Sequence, residues 1–190
     1  MPWPSKVLER FQGVPPNPCE NEFHGPYNKL LYTLFRVDSN FNVDPRFTEP
    51  RFWESGDGLF AYEVRLEGKP LFIVQLKAPG DIELASARQK ADTQIRSRMA
   101  EVAMTCPLPT LHGVSAMGTR LCFYRLDIPA KGENAIILPL PIPRKYLSST
   151  DTAPAERWDC DILEEDGEAK FRAVVDEIQQ RCAQLNPSGD

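Results

Sequence analysis

The stretch that decides the fold is Pro70-Leu71-Phe72-Ile73-Val74-Gln75-Leu76-Lys77-Ala78-Pro79. It is a short apolar run, rich in β-formers and fenced by proline at both ends, and it reads as a buried strand. Its polar residues are the oddity. Gln75 and Lys77 are two positions apart, so a strand sets both on one face. Burying an ammonium is costly unless it is paired or used. An amide and a lysine at the end of a core strand therefore need a chemical or structural reason.

Upstream, Phe60, Tyr62, Val64 and Leu66 alternate with Ala61, Glu63 and Arg65. That alternation predicts a half-buried strand, with Glu63 and Arg65 toward solvent as cross-strand partners. Glu67-Gly68-Lys69 then forms a tight hairpin into the opening strand. Antiparallel pairing brings the start of one strand beside the end of the other. Asp57, in the turn Ser55-Gly56-Asp57-Gly58, is thus expected close to Gln75 and Lys77. Earlier still, Phe41 to Phe47 reads as a short edge strand, because Pro45 forbids a central place. Phe23, Tyr27, Leu30, Leu31, Leu34 and Phe35 fall at helical spacing. That helix starts at Pro26, or near Glu20 with a kink at Gly25-Pro26.

Downstream, Leu84, Ala87, Ala91, Ile95, Met99 and Val102 form a helical stripe within Ile82 to Ala103. Arg88, Lys90, Arg96 and Arg98 give this helix a partly basic character, for which a solvated face is the plain account. Leu111 to Met117 and Arg120 to Asp127 read as strands joined through Gly118, and Ala135 to Leu138 as another. The sequence therefore predicts an α/β fold, a mixed central sheet flanked by helices. Residues 1–19 form a proline-rich arm, extended but for a short helical turn at Val7, Leu8 and Phe11. Residues 20–143 form the core. Residues 144–190 hold a polar loop and an amphipathic helix, carrying Phe171, Val174, Val175, Ile178, Cys182 and Leu185, packed on the core.

The bulk properties narrow the chemistry. The net charge of −5 over 190 residues argues against non-specific coating of nucleic acid. No apolar run approaches the roughly 20 residues of a membrane span, and the N-terminus lacks the apolar region of a secretory signal. Five scattered cysteines without a CxxC pair read as reduced thiols of an intracellular protein, cytoplasmic or nuclear. His112, Cys106 and Cys122 read as core. Ser115 lacks the glycines of a nucleophile elbow, and there is no P-loop or GxGxxG. The oligomeric state is left open, a homodimer included.

What remains is the acid, the amide and the lysine. Asp57, the Gln75 amide oxygen and Lys77 can hold a hard divalent cation and a water. The bland alternative is that Lys77 caps a strand end and reaches for water, with Asp57 as a turn residue.

The order αβββαβ, with Asp57 before the second strand and Gln75-x-Lys77 at the end of the third, resembles the PD-(D/E)XK nuclease superfamily over roughly residues 20–127. The resemblance implies a restriction-endonuclease-like core that hydrolyses phosphodiester bonds in nucleic acid with Mg²⁺ or Mn²⁺. It implies that Asp57 is the principal ligand, with Gln75 and the Leu76 carbonyl completing the shell. Lys77 then orients the attacking water, and an extra acid that many members carry on the first helix, here Glu22 (or Glu20), holds it or a second ion. Gln94 matches a glutamine found on the following helix in some branches, and Arg88, Arg96 and Arg98 become phosphate contacts. Gln75 departs from the pattern, since it offers a neutral oxygen where the superfamily has an acid. The implied site is active in variant form, weakened, or silent on a fold reused for interaction. The phrases Gly25-Pro26-Tyr27-Asn28-Lys29-Leu30-Leu31 and His112 to Leu121 also resemble a group of uncharacterised proteins of mushroom-forming fungi, in which a Glu-x-Lys is expected at this point.

Overall fold

The structure is a computed structural model that describes residues 2–48, 58–128, 135–144 and 150–185. Among these, seven strands form one mixed sheet flanked by four helices. The helices are α1 (Ser5–Gln12), α2 (His24–Leu34), α3 (Ala85–Val102) and α4 (Glu165–Leu185). The strands are β1 (Phe41–Thr48), β2 (Leu59–Leu66), β3 (Lys69–Lys77), β4 (Thr110–Met117), β5 (Arg120–Asp127), β6 (Ile136–Leu138) and β7 (Cys160–Asp161).

The sheet order is β1-β2-β3-β4-β5-β6, with β7 also pairing β5. Neighbours run antiparallel except β3 and β4, which are parallel and joined through α3. A parallel pair needs such a crossover, and a helix supplies it. Glu67 (φ 51°) and Gly68 (φ 76°) make the two-residue turn from β2 to β3, both in the left-handed region that such hairpins favour. Pro45 sits in β1, which pairs with β2 alone among the described strands, as an edge position allows.

β3 is buried along its whole length save Lys69, because helices cover both faces of the sheet. On one face Phe72, Val74 and Leu76 meet Tyr27, Leu30, Leu31 and Phe35 of the α2 region and Phe171, Val175 and Ile178 of α4. On the other, Ala61 and Ile73 meet Ala91, Ile95 and Met99 of α3, together with Tyr124 and Trp158. Gly113 lets α3 lie directly on β4. A Cβ there would stand 2.7 Å from Met99 Sδ, closer than packed atoms allow.

The chain start carries a helix where a short helical turn was expected at Val7, Leu8 and Phe11, and it is packed on the core rather than held out as an extended arm. Trp3 is 2% exposed, and Val7 and Phe11 of the two-turn helix α1 are buried in the core. Trp3 donates its indole N–H to the Ile162 carbonyl at 2.6 Å, and Arg172 lies 4.1 Å over its ring. The helix expected from Pro26 begins at His24, after a 3₁₀ turn over Glu20–Phe23. No helix among the described residues is long and apolar enough to cross a membrane.

Candidate functional site

The register sets the start of β2 beside the end of β3 that carries Gln75 and Lys77. Ala61 pairs with Gln75, so the first described residue before β2, Gly58, falls beside the end of β3. Its carbonyl accepts a hydrogen bond from Lys77 Nζ at 3.4 Å. Asp57 itself lies outside the described residues.

Lys77 is 6% exposed. Its ammonium stands 3.7 Å from Glu20 Oε2. The partner that a buried lysine requires is thus supplied by the 3₁₀ turn that leads into α2. The main chain beside it is also fixed: the Lys77 carbonyl accepts from the Gly118 N–H at 3.0 Å, and the Tyr27 hydroxyl donates to the Gly118 carbonyl at 2.8 Å. Gly118 has φ 62°, and a Cβ there would meet Pro79 at 2.7 Å. Glycine is what lets the β4–β5 turn close against this corner.

Glu22, the first choice as the additional acid, is used locally. Its Oε2 accepts the Cys19 N–H at 2.6 Å and caps its own turn. Glu20, two residues earlier, is the acid that faces Lys77. The same carboxylate lies 3.8 Å from His24 Nε2. The His24 ring stacks on Phe60 with centroids 3.7 Å apart and planes 11° apart, and its main-chain carbonyl accepts from the Tyr62 hydroxyl at 2.9 Å. Burial lowers the His24 pKa, which favours a neutral ring.

Gln75 is fully buried. Its Nε2 donates to Gln94 Oε1 of α3 at 3.3 Å, while its Oε1 has no hydrogen-bond partner. Ser115, level with Gln75 on β4, is also fully buried, and its Oγ has no partner either. Buried polar atoms without partners are uncommon in native folds and call for a ligand, an ion or a water. Leu76 buries its side chain in the core on the opposite face, so its main-chain oxygen is what it has to offer.

The arginines named as phosphate contacts are bound within the fold. Arg88 is 7% exposed, donates to the Ala153 carbonyl at 2.8 Å and pairs with Asp151. Arg96 pairs with Asp92 at 2.8 Å and donates to the carbonyls of Ile137 and Pro139. Asp92 also accepts from the Tyr124 hydroxyl and from Arg157. Arg98 pairs with Glu63 at 2.6 Å and with Glu101 at 2.9 Å. Glu63, expected toward solvent, is in fact fully buried and pairs with Arg65 as well, at 2.8 Å. The alternation along β2 was legible, but its second face is roofed by α3, which the alternation does not show.

Two donors near the end of β3 suit a hard cation in kind, the Glu20 carboxylate beside Lys77 and the unpartnered amide oxygen of Gln75. They supply one negative charge, and it already faces an ammonium. Among the described residues, no group of three or more His, Cys, Asp or Glu side chains converges to hold a metal. A groove of about 680 Å³ lies elsewhere, between β5, β6 and α4, lined by residues such as Phe123, Lys170, Val174 and Glu177.

Comparison with known protein families, with curated proteins and with solved structures returns no significant match.

Proposed function

We propose that the protein is a nuclease-like hydrolase of phosphodiester bonds in nucleic acid, with its site at the C-terminal end of β3. The observation that carries the proposal is the pairing of buried Lys77 with Glu20 beside Gln75, whose buried oxygen has no partner. The element order α2-β1-β2-β3-α3-β4 supports it. Asp57, Glu20, Gln75 Oε1 and the Leu76 carbonyl would hold Mg²⁺ or Mn²⁺, which when bound lowers the pKa of water and offsets charge on a phosphate. Lys77 orients the water and stabilises negative charge, and its burial makes that charge more effective than at the surface. Glu20 holds the ammonium in place. Gln75 contributes an oxygen without charge, so the site grips its cation less strongly than one with a carboxylate there.

A second reading has its own observation. The Gln75 amide nitrogen is bound to Gln94, so the fold accommodates an amide where the resemblance expects an acid. The chain is then a silent nuclease fold used for interaction.

Nicking of supercoiled DNA and cleavage of RNA, with Mn²⁺ titrated, separate the two. The hydrolase predicts metal-dependent cleavage that Lys77→Ala reduces by at least about 100-fold, in line with the loss of one preorganised charge-stabilising group. Cleavage that survives Lys77→Ala would sink the proposed site. Absence of both cleavage and cation binding by calorimetry, with cleavage appearing in Gln75→Glu, would establish the silent fold.

A further inference from the structure

We propose that Phe47, Phe60 and His24 form a stacking platform for the bases of a single-stranded nucleic acid led past Lys77. The inference rests on the phosphodiester reading of the β3 end and adds the strandedness of the substrate.

The three rings come from three elements. Phe47 and Phe60 are direct partners in the β1–β2 ladder, so their side chains stand on the same face. His24, at the start of α2, lies parallel on Phe60 at 3.7 Å. Tyr62 meets Phe60 edge-on, at 5.3 Å and 89°, and fixes its plane. Phe60 is only partly covered, and Phe47 is 68% exposed. An open phenylalanine therefore stands across the ladder from a stacked pair of rings at the sheet end. Single exposed apolar residues are ordinary, but one set on the same face as a stacked His24–Phe60 pair offers a surface suited to flat partners.

The stacked pair is continuous with the candidate site. Glu20 touches both ends of the connection, lying 3.8 Å from His24 Nε2 and 3.7 Å from Lys77 Nζ. Lys77 in turn reaches the Gly58 carbonyl, two residues before Phe60. A strand with its phosphate at Lys77 would therefore bring the neighbouring bases over the rings. Bases stack on aromatic side chains without sequence preference, because each has a π face. Bases inside a duplex are already stacked on one another and cannot use such a platform. The arginines that would otherwise track a duplex backbone along α3 are committed to carboxylates and carbonyls of the fold.

The test is fluorescence anisotropy in EDTA, where cleavage is prevented. The probes are fluorescein-labelled oligothymidylate and oligouridylate of about 12 nucleotides, within the range that single-strand-binding OB-folds cover, and a hairpin duplex of matching length. The expected result is tighter binding of single strands than of the duplex by at least about tenfold. Phe47→Ala should weaken single-strand binding by about 5- to 100-fold, the usual effect of one stacking ring, and Phe47→Trp should retain it. Because Phe47 is exposed, Phe47→Ala leaves the core intact, which a thermal melt checks. Equal affinity for duplex and single strand, no binding to any of the probes, or no effect of Phe47→Ala would each overturn the platform. Separate outcomes attach to the hydrolytic reading. Ring-dependent binding without Mn²⁺-dependent cleavage leaves the platform standing and removes the hydrolase. Lys77-dependent cleavage with unaltered binding by Phe47→Ala does the reverse.

Discussion

His112 shows how one buried side chain makes stability depend on pH. It is 6% exposed between β4 and α4, with Nε2 3.3 Å from Glu177 Oε2. Burial lowers its pKa; the charges of Glu177 and Asp127 pull it up and that of Arg125 pushes it down, and burial prevails. In the unfolded chain a histidine titrates near about 6.5. Below that pH the unfolded chain binds a proton that the folded protein resists, so stability falls until folded His112 itself protonates. Above it the group adds no slope. The urea midpoint should therefore drop as the pH falls below about 6.5, and His112→Gln should remove part of the drop. His24, lowered in the same direction by burial, accounts for another part. A midpoint that stays level over this range in the natural protein would contradict the assignment.

At the same scale, the sequence told Gln75 and Lys77 apart from their neighbours because polar atoms interrupt an apolar strand. It did not separate Glu20 from Glu22. Both flank the same helix start, and what distinguishes them is which one the Cys19 N–H captures. Ser115 carried no signal, because a serine in a strand is unremarkable until its hydroxyl proves buried and unpartnered.

Among the elements, α3 departs most from its sequence reading. Its apolar stripe was legible from Ala91 onward, where Ala91, Ile95, Met99 and Val102 are buried, while Leu84 stands exposed ahead of the helix. Its arginines were not, because a sequence shows that a helix is basic without showing what lies opposite. Arg98 faces Glu63 across the helix–sheet interface. Removing one member of a buried pair leaves a charge unpartnered, typically at about 3–5 kcal/mol. Arg65 remains as a second partner, and Arg98 is itself partly exposed, so Arg98→Met should cost somewhat less, about 2–4 kcal/mol in urea unfolding. Adding Glu63→Gln to Arg98→Met should restore part of the loss. A double variant less stable than the single one would show that Glu63 is held by contacts other than Arg98.

In the whole molecule, the mixed sheet with flanking helices was legible from local patterns, whereas the order of its strands and the covering of the second face of β2 by α3 were not. The closing contacts did not follow. They join residues far apart in the chain, which periodicity cannot register. Asp92 gathers Arg96, Arg157 and Tyr124, tying segments near 137 and 157 to α3. Trp3 does the same for the chain start, held by Ile162, Glu168 and Arg172 and packed edge-on against Phe171. Trp3→Ala should destabilise by about 3–5 kcal/mol, the range for a buried aromatic removed from a core. A urea midpoint within error of the natural protein would show that Trp3 rests on the core without contributing to stability.

The Trp3 indole and the carbonyl it binds are 159 positions apart. A ribosome adds about 5–20 residues per second, so the indole waits on the order of ten to thirty seconds for its partner to be made. Through that interval the seat of Trp3 does not exist, although Phe11 can already meet Tyr27. A residue made early relative to its partner thus finds its place late. A nascent chain halted before residue 162 would present an unseated tryptophan to the chaperones that survey new polypeptides.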